Sequence, residues 1–343
     1  MKRLHHILLA LGAAGFAFLV WRIGPKTLWG DVIALGFGAV VIISVAAVEQ
    51  LLHTLGWQRC FDRDERPGLW RLYGAHLAGG AINIVTPTAT LGGELVRGGL
   101  LGRLPGAAAA ASVTVDRLAY ALADTTLGAC GLVVVLVAAP LGLLGRLGVI
   151  AAAALFVTGV GMFWALQRDG RLLTRVTGSG LVRRFGGAAL AEGLHSGSID
   201  VDARIAAFHA GRTGSLLAAY AFHAAGSLMG AVQLGLFFHY MHAPATVAMT
   251  LAAFLVSIAL DLFSFFIPAR LGAQEGARML AVSLVGLPPA LGLVFSLVLR
   301  AEQVVWAAIG LGLYPLLVPR RVDRRARPGP APAATLTPGD EAG

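Results

Sequence analysis

Pro87-Thr-Ala-Thr-Leu-Gly-Gly-Glu94-Leu-Val-Arg97 returns 181 residues later as Pro268-Ala-Arg-Leu-Gly-Ala-Gln-Glu275-Gly-Ala-Arg278. Pro, Glu and Arg keep one spacing in both copies, and Leu-Gly occurs in each, shifted by one position. With 15 Pro, 7 Glu and 25 Arg among 343 residues, chance supplies about 0.02 copies of that spacing, so two copies argue for an internal duplication. Both copies lie in strongly apolar surroundings, where a charge usually has a function.

Those surroundings set the class. A mean hydropathy of +0.76, 57% hydrophobic residues and only 13% charged ones are the composition of a polytopic membrane protein. Apolar stretches long enough to cross a bilayer occur at about 4–21, 32–56, 113–139, 147–166, 215–241, 246–267 and 288–316. The run after Lys2 continues into Trp21 and Arg22 without a small-x-small cleavage site, so a retained first span is expected.

The net charge of +9 is distributed in a way that excludes a nucleic-acid reading. Lys2 and Arg3, the Arg59–Arg71 segment, seven Arg between 168 and 212, and five Arg from Arg320 to Arg327 hold 18 of the 27 basic residues. The loops between these segments hold Arg22, Lys26 and Arg146. This is the asymmetry of the positive-inside rule, so the basic segments and both termini are expected on the cytoplasmic side. Such segments suit anionic lipid head groups. Cys60 and Cys130 are the whole cysteine content and offer neither a disulfide framework nor a metal site. His223, His239 and His242 make at most a weak metal pattern near an outer interface, and no metal or cofactor is expected.

Orientation then follows along the chain. The piece 73–85 is about 13 residues where roughly 20 are needed to span, and it ends at Thr86-Pro87 before a second short piece, 91–103. This predicts a re-entrant hairpin on the cytoplasmic side. Spans at 106–139 and 147–166 follow, then a cytoplasmic segment 168–213 whose 188–211 stretch is expected on the membrane surface. After the span 215–241, residues 246–286 repeat the hairpin around Pro268. Three crossings separate the copies, so the two phrases face opposite sides. The expected fold is all-α: a polytopic membrane unit over 1–318 with two inverted repeats, about 32–140 and 215–316, each holding a re-entrant helical hairpin. Residues 319–343 are expected to be a basic, then disordered, cytoplasmic tail.

The phrase has its own chemistry. Pro87 and Pro268 break a helix, Gly92, Gly93 and Gly272 permit tight turns, and the short helix that follows presents free N–H groups to an anion. Glu94 with Arg97, and Glu275 with Arg278, share a helix face at a spacing of three. Further charges interrupt the next helices: Asp116 and Arg117, then Arg300 and Glu302, with Asp124, Asp261 and Glu49 completing the set. Asn83, His76 and the threonines 86, 88 and 90 add hydrogen-bonding groups. In one reading Arg97, Arg278, Arg117 and Arg300 meet a lipid phosphate, with Glu94 and Glu275 setting their geometry and Asn83 and Asp261 lining the site. In the other, each Glu neutralises its own Arg and locks the hairpin, and Asp116 pairs with Arg97 or Arg117. Both readings stay open at this point.

The stretches Asn83-Ile-Val-Thr-Pro87…Leu-Gly-Gly-Glu94-x-x-Arg97 and Phe265-Phe-Ile-Pro268-Ala-x-Leu-Gly-x-x-Glu275-Gly resemble the flippase-like transmembrane region of lysylphosphatidylglycerol synthases. The same region occurs in stand-alone membrane proteins, including a hopanoid-biosynthesis-associated inner-membrane family. The resemblance covers about residues 4–316 and implies a bacterial inner-membrane location and a role in moving lipid across the bilayer. Because the chain ends soon after the last span, it resembles the transport half without the aminoacyl-transferring half. The implied function is a lipid translocase, not an enzyme, with membrane lipids as partners: an anionic phospholipid or an isoprenoid lipid. Lipid-synthesis enzymes and a second copy of the chain stay open as further partners. The alternatives are an intramembrane lipid-phosphate enzyme, for which no Ser or His nucleophile stands beside either motif, and a scaffold that recruits lipid-synthesis enzymes. No G-x-x-x-x-G-K-[ST] phrase appears to support ATP drive.

Overall fold

A computed structural model describes residues 21, 26, 30, 33–85, 91–102, 104–179, 184, 188–263 and 272–318, and every element among them is helical. In chain order these are α1 (Phe37–Arg59), α2 (Leu69–Val85), α3 (Leu91–Gly99), α4 (Gly106–Ala138), α5 (Leu143–Arg168), α6 (Leu172–Thr177), α7 (Ala188–Gly211), α8 (Thr213–Tyr240), α9 (Val247–Phe263), α10 (Ala273–Leu284) and α11 (Pro289–Leu317). Residues 4–20 of the expected first span, the expected hairpin tips at Pro87 and Pro268 with the threonines 86, 88 and 90, and the tail 319–343 lie outside the described residues.

Five helices, α1, α4, α5, α8 and α11, are long and apolar enough to cross a membrane. α2 and α9 have 17 residues each, α3 has 9 and α10 has 12. At about 1.5 Å per residue, α3 and α10 reach less than two thirds of a hydrocarbon core of about 30 Å. Local sequence explains the helix starts. Pro105 ends its loop in extended backbone before α4, and Pro289 occupies the first helical position of α11, where its missing N–H costs nothing. Gly272 precedes α10 at φ +75°, a conformation that favours glycine.

The helices pack in a regular scheme: α1 lies along α8, α2 along α11, and α4 along α9, while α3 packs on α2 and α4, and α10 on α9 and α11. Two glycines set close crossings between the long helices and their neighbours. A Cβ on Gly310 of α11 would stand 2.3 Å from the Leu77 carbonyl and 2.9 Å from Ala81 Cβ of α2. A Cβ on Gly131 of α4 would stand 2.0 Å from the Leu255 carbonyl and 3.0 Å from Ala259 Cβ of α9. Where lipid supplies no hydrophobic drive between helices, contacts of this kind hold them together by van der Waals packing.

Two apolar clusters result, one around Trp57, Phe61, Leu72 and Ile205, the other around Ile42, Phe237, Phe295 and Leu293. Along α1 the half-buried Glu49 and Gln50 and the buried His53 fall between Ile42 and Trp57, so polar groups separate the clusters. α7, expected on the membrane surface, packs one face on the protein. Val201, Ile205 and Phe208, spaced i, i+4, i+7, are buried in the first cluster, and Arg204 and Arg212 pair with Glu65 at 2.9 Å and Asp62 at 2.7 Å. Leu194 and Ile199 of the same helix stay exposed.

Candidate functional site

Between the clusters lies a cavity of about 170 Å³, walled by α1 (Glu49, Gln50, His53), α2 (His76, Asn83), α3 (Glu94, Arg97) and α4 (Arg117, Tyr120). At about 30 Å³ per water, it has room for a few waters or one phosphate-sized group, not for a whole lipid. Its floor is set by a close crossing of α2 and α3: a Cβ on Gly93 would stand 2.1 Å from the Gly79 carbonyl and 2.5 Å from the Asn83 side chain. Gly93 therefore serves close approach, not the turn expected of it. Its N–H donates to Asn83 Oδ1 at 2.7 Å, so Asn83 takes up one of the amides in the first turn of α3.

Arg97 is only 2% exposed and closely held, although its buried Nη1 has no hydrogen-bond partner among the described residues. Nε faces Glu94 Oε2 at 2.5 Å, Nη2 donates to Asp116 Oδ2 at 2.7 Å, and the guanidinium lies 4.5 Å from the Trp57 ring centroid. Trp57 in turn donates Nε1–H to Ser112 Oγ at 3.2 Å. Arg117, one residue beyond Asp116, is held more loosely. Its nitrogens stand 3.4 Å from Glu94 and 3.5 Å from Asp116, longer than the 2.7–2.9 Å of a strong charge-assisted bond. Its side chain is 35% exposed, and its Nε has no hydrogen-bond partner among the described residues. Of the two cavity arginines, Arg97 is the more deeply buried and closely paired, and Arg117 the more exposed and loosely paired.

The second copy builds its own cluster. Glu275 is buried and accepts from Arg300 Nε and Nη2, both at 2.9 Å. Arg278 stands 3.5 Å from Asp261, which also accepts from Gln274 at 3.5 Å. Glu302 accepts a very short bond from Gln233 Nε2 and lies within electrostatic reach of Glu49 and Arg278. The correspondence is chemical: in each half the Glu of the short helix meets an Arg of the following long helix, Glu94 with Arg117 and Glu275 with Arg300.

The model of the lysylphosphatidylglycerol synthase TM region matches residues 6–312. The chain belongs to this family. It is a membrane protein of a lipid-linked family, with several apolar helices. No curated protein and no solved structure matches the chain.

Against that background, the eight site residues expected from sequence separate into two groups. Asn83, Glu94, Arg97 and Arg117 line one cavity of the TM region. Asp261, Glu275, Arg278 and Arg300 form the second cluster and do not line that cavity.

Sequence reasoning missed the buried imidazole pair. His53 Nδ1 and His223 Nδ1 lie 2.9 Å apart, and His223 Nε2 donates to Asp116 Oδ1 at 2.8 Å. Each ring rests on a glycine of the partner's helix: a Cβ on Gly56 would stand 2.8 Å from His223, and one on Gly226 2.8 Å from His53. The signal was present as His53-Thr-Leu-Gly56 and His223-Ala-Ala-Gly226, a His-x-x-Gly phrase in each half.

Proposed function

We propose that this protein is a flippase-type lipid translocase whose cavity takes the head-group phosphate at Arg117. The observation that carries the reading is the unequal holding of the two arginines. Arg97 is buried and held at short range by Glu94, Asp116 and Trp57, whereas Arg117 is 35% exposed, stands 3.4–3.5 Å from its two carboxylates and borders a cavity of phosphate size. A planar guanidinium suits a phosphate fork. Acyl chains stay outside, because the cavity holds no more than the polar group.

The architecture behind this proposal is a pair of inverted repeats, α1–α4 and α8–α11, with α2–α3 and α9–α10 as re-entrant hairpins. Its support is reciprocal packing. Exchanging the halves sends the α2–α11 pairing to α9–α4, and sends Gly310 on Leu77 and Ala81 to Gly131 on Leu255 and Ala259. The shortness of α3 and α10 and the apolar sequence around them suit hairpins that enter and leave one face. A cytoplasmic-membrane location with both termini inside follows from the basic segments.

Native mass spectrometry of the full chain in detergent with added phosphatidylglycerol tests the site. The native protein should retain the lipid, and Arg117→Gln should lose it while keeping its thermal stability. Equal retention by both proteins contradicts the assignment.

A further inference from the structure

The buried imidazole pair has a proton count that can be worked out from its contacts. Asp116 accepts from Arg97 and faces Arg117, so its carboxylate is an acceptor, and His223 must donate to it through Nε2. A neutral His223 then presents a lone pair at Nδ1. The 2.9 Å contact to His53 Nδ1 therefore holds one proton, donated by His53. A neutral His53 with its proton on Nδ1 has a bare Nε2. That atom faces Glu49 Oε1 at 3.7 Å, and both residues line the cavity. The chain Glu49, His53, His223, Asp116 thus has one vacant proton position, open to the cavity at Glu49, whose side chain is 26% exposed.

We infer that the Glu49–His53 pair is a proton-binding site loaded together with the head group, which makes transport proton-coupled. The inference rests on the cavity being the head-group site. In the step itself, a hydronium ion in the cavity breaks one O–H bond and its proton bonds to the Nε2 lone pair of His53, leaving water and giving an imidazolium beside the Glu49 carboxylate. The reverse transfer to water re-forms the hydronium when the head group leaves. Passing the shared Nδ1 proton to His223 moves the charge to the Asp116 end without a further proton.

Charge balance gives the direction of coupling. Glu49, Glu94 and Asp116 face Arg97 and Arg117, so the unloaded wall carries one excess negative charge, which an anionic phosphate meets unfavourably. One added proton cancels that excess. Other titratable and charged groups surround His53, and of these the His76 ring, 6.4 Å from His53 between centroids, leaves its buried Nδ1 without a hydrogen-bond partner among the described residues. His76 of α2 donates to Gln50 at 2.8 Å, Tyr73 of α2 to the Ala47 carbonyl at 3.3 Å, and Ser227 occupies Asp124 of α4 at 2.9 Å. Tyr120 of α4 packs its ring on both imidazoles, and Glu302 of α11, bound by Gln233, lies within electrostatic reach of both Glu49 and Arg278.

Titration calorimetry of the full chain in detergent with short-chain phosphatidylglycerol, in buffers of different ionisation heat, tests this between about pH 6 and 8. The phosphodiester does not titrate there, so any proton taken up goes to the protein. The native chain should take up close to one proton per lipid, with affinity falling about tenfold per pH unit at the alkaline end. Glu49→Gln and His53→Gln should bind without uptake and with affinity independent of pH, and Glu49→Asp should restore uptake. Binding by the native chain without uptake overturns the proton site and leaves the head-group site standing. Native uptake persisting in Glu49→Gln overturns the assignment to this pair, and absence of binding removes both readings.

Discussion

Arg97 donates to Asp116 across 2.7 Å, and neither side chain has more than 2% of its surface exposed. Removing either partner leaves the other charge buried, which costs about 3–5 kcal/mol. Arg97→Ala and Asp116→Ala should each lower unfolding stability in detergent by that amount. Arg97→Lys should recover little, because one ammonium cannot serve Glu94, Asp116 and the Trp57 face together. A joint Arg97→Met/Asp116→Leu change should destabilise less than the sum of the single changes, as measured by a double-mutant cycle.

Gly131 and Gly310 should behave as a matched pair. An alanine methyl at either position meets a backbone carbonyl at 2.0 or 2.3 Å, which only helix separation relieves. Gly131→Ala and Gly310→Ala should each lower stability by about 1–3 kcal/mol. Gly159→Ala, on the exposed α5 with nothing within 4 Å, should leave stability unchanged or raise it by up to about 1 kcal/mol. Thermal denaturation of the three variants in the same micelle checks the contrast.

Acid should weaken the attachment of α7. Its His209 donates to Gln167 Oε1 at 3.1 Å, and Gln167 bonds onward to the Thr114 carbonyl of α4 at 3.1 Å. Burial, and then the nearby charge of Arg168, push the His209 pKa below its ordinary value of 6.5. The unfolded chain therefore binds this proton at higher pH than the folded one. The contribution is whole above pH 6.5 and declines as pH falls below it. His209→Asn should flatten that part of the stability curve relative to the native chain, read as thermal midpoints across the interval.

The membrane class and the positions of α4, α5, α8 and α11 were legible because a long apolar run has few alternatives. The repeated Pro-Glu-Arg phrase located both short helices, since proline and glycine act locally. Its charges were harder to read. Spacing of three correctly put Glu94 beside Arg97, yet Glu275 turned to Arg300, on a different helix, and Arg278 to Asp261. Pairing between helices depends on which faces pack, and one sequence does not encode that in any spacing. The same reason hid Asp124 with Ser227 and His53 with His223, which are 103 and 170 residues apart. His53 was indistinguishable from an ordinary helix histidine until α8 was laid along α1. The expected meeting of Arg97 with Arg278 in one cavity is likewise a statement about packing, and the lining of the cavity includes only the first.

The most direct measurement is translocation of fluorescent phosphatidylglycerol in liposomes carrying the purified chain, followed by quenching of outer-leaflet label. The native protein should equilibrate the label between leaflets, and Arg117→Gln, folded and reconstituted to the same density, should be slower by about tenfold or more, as expected for loss of a buried charge-assisted contact. Equal rates for native protein, Arg117→Gln and protein-free liposomes would contradict lipid translocation through this cavity.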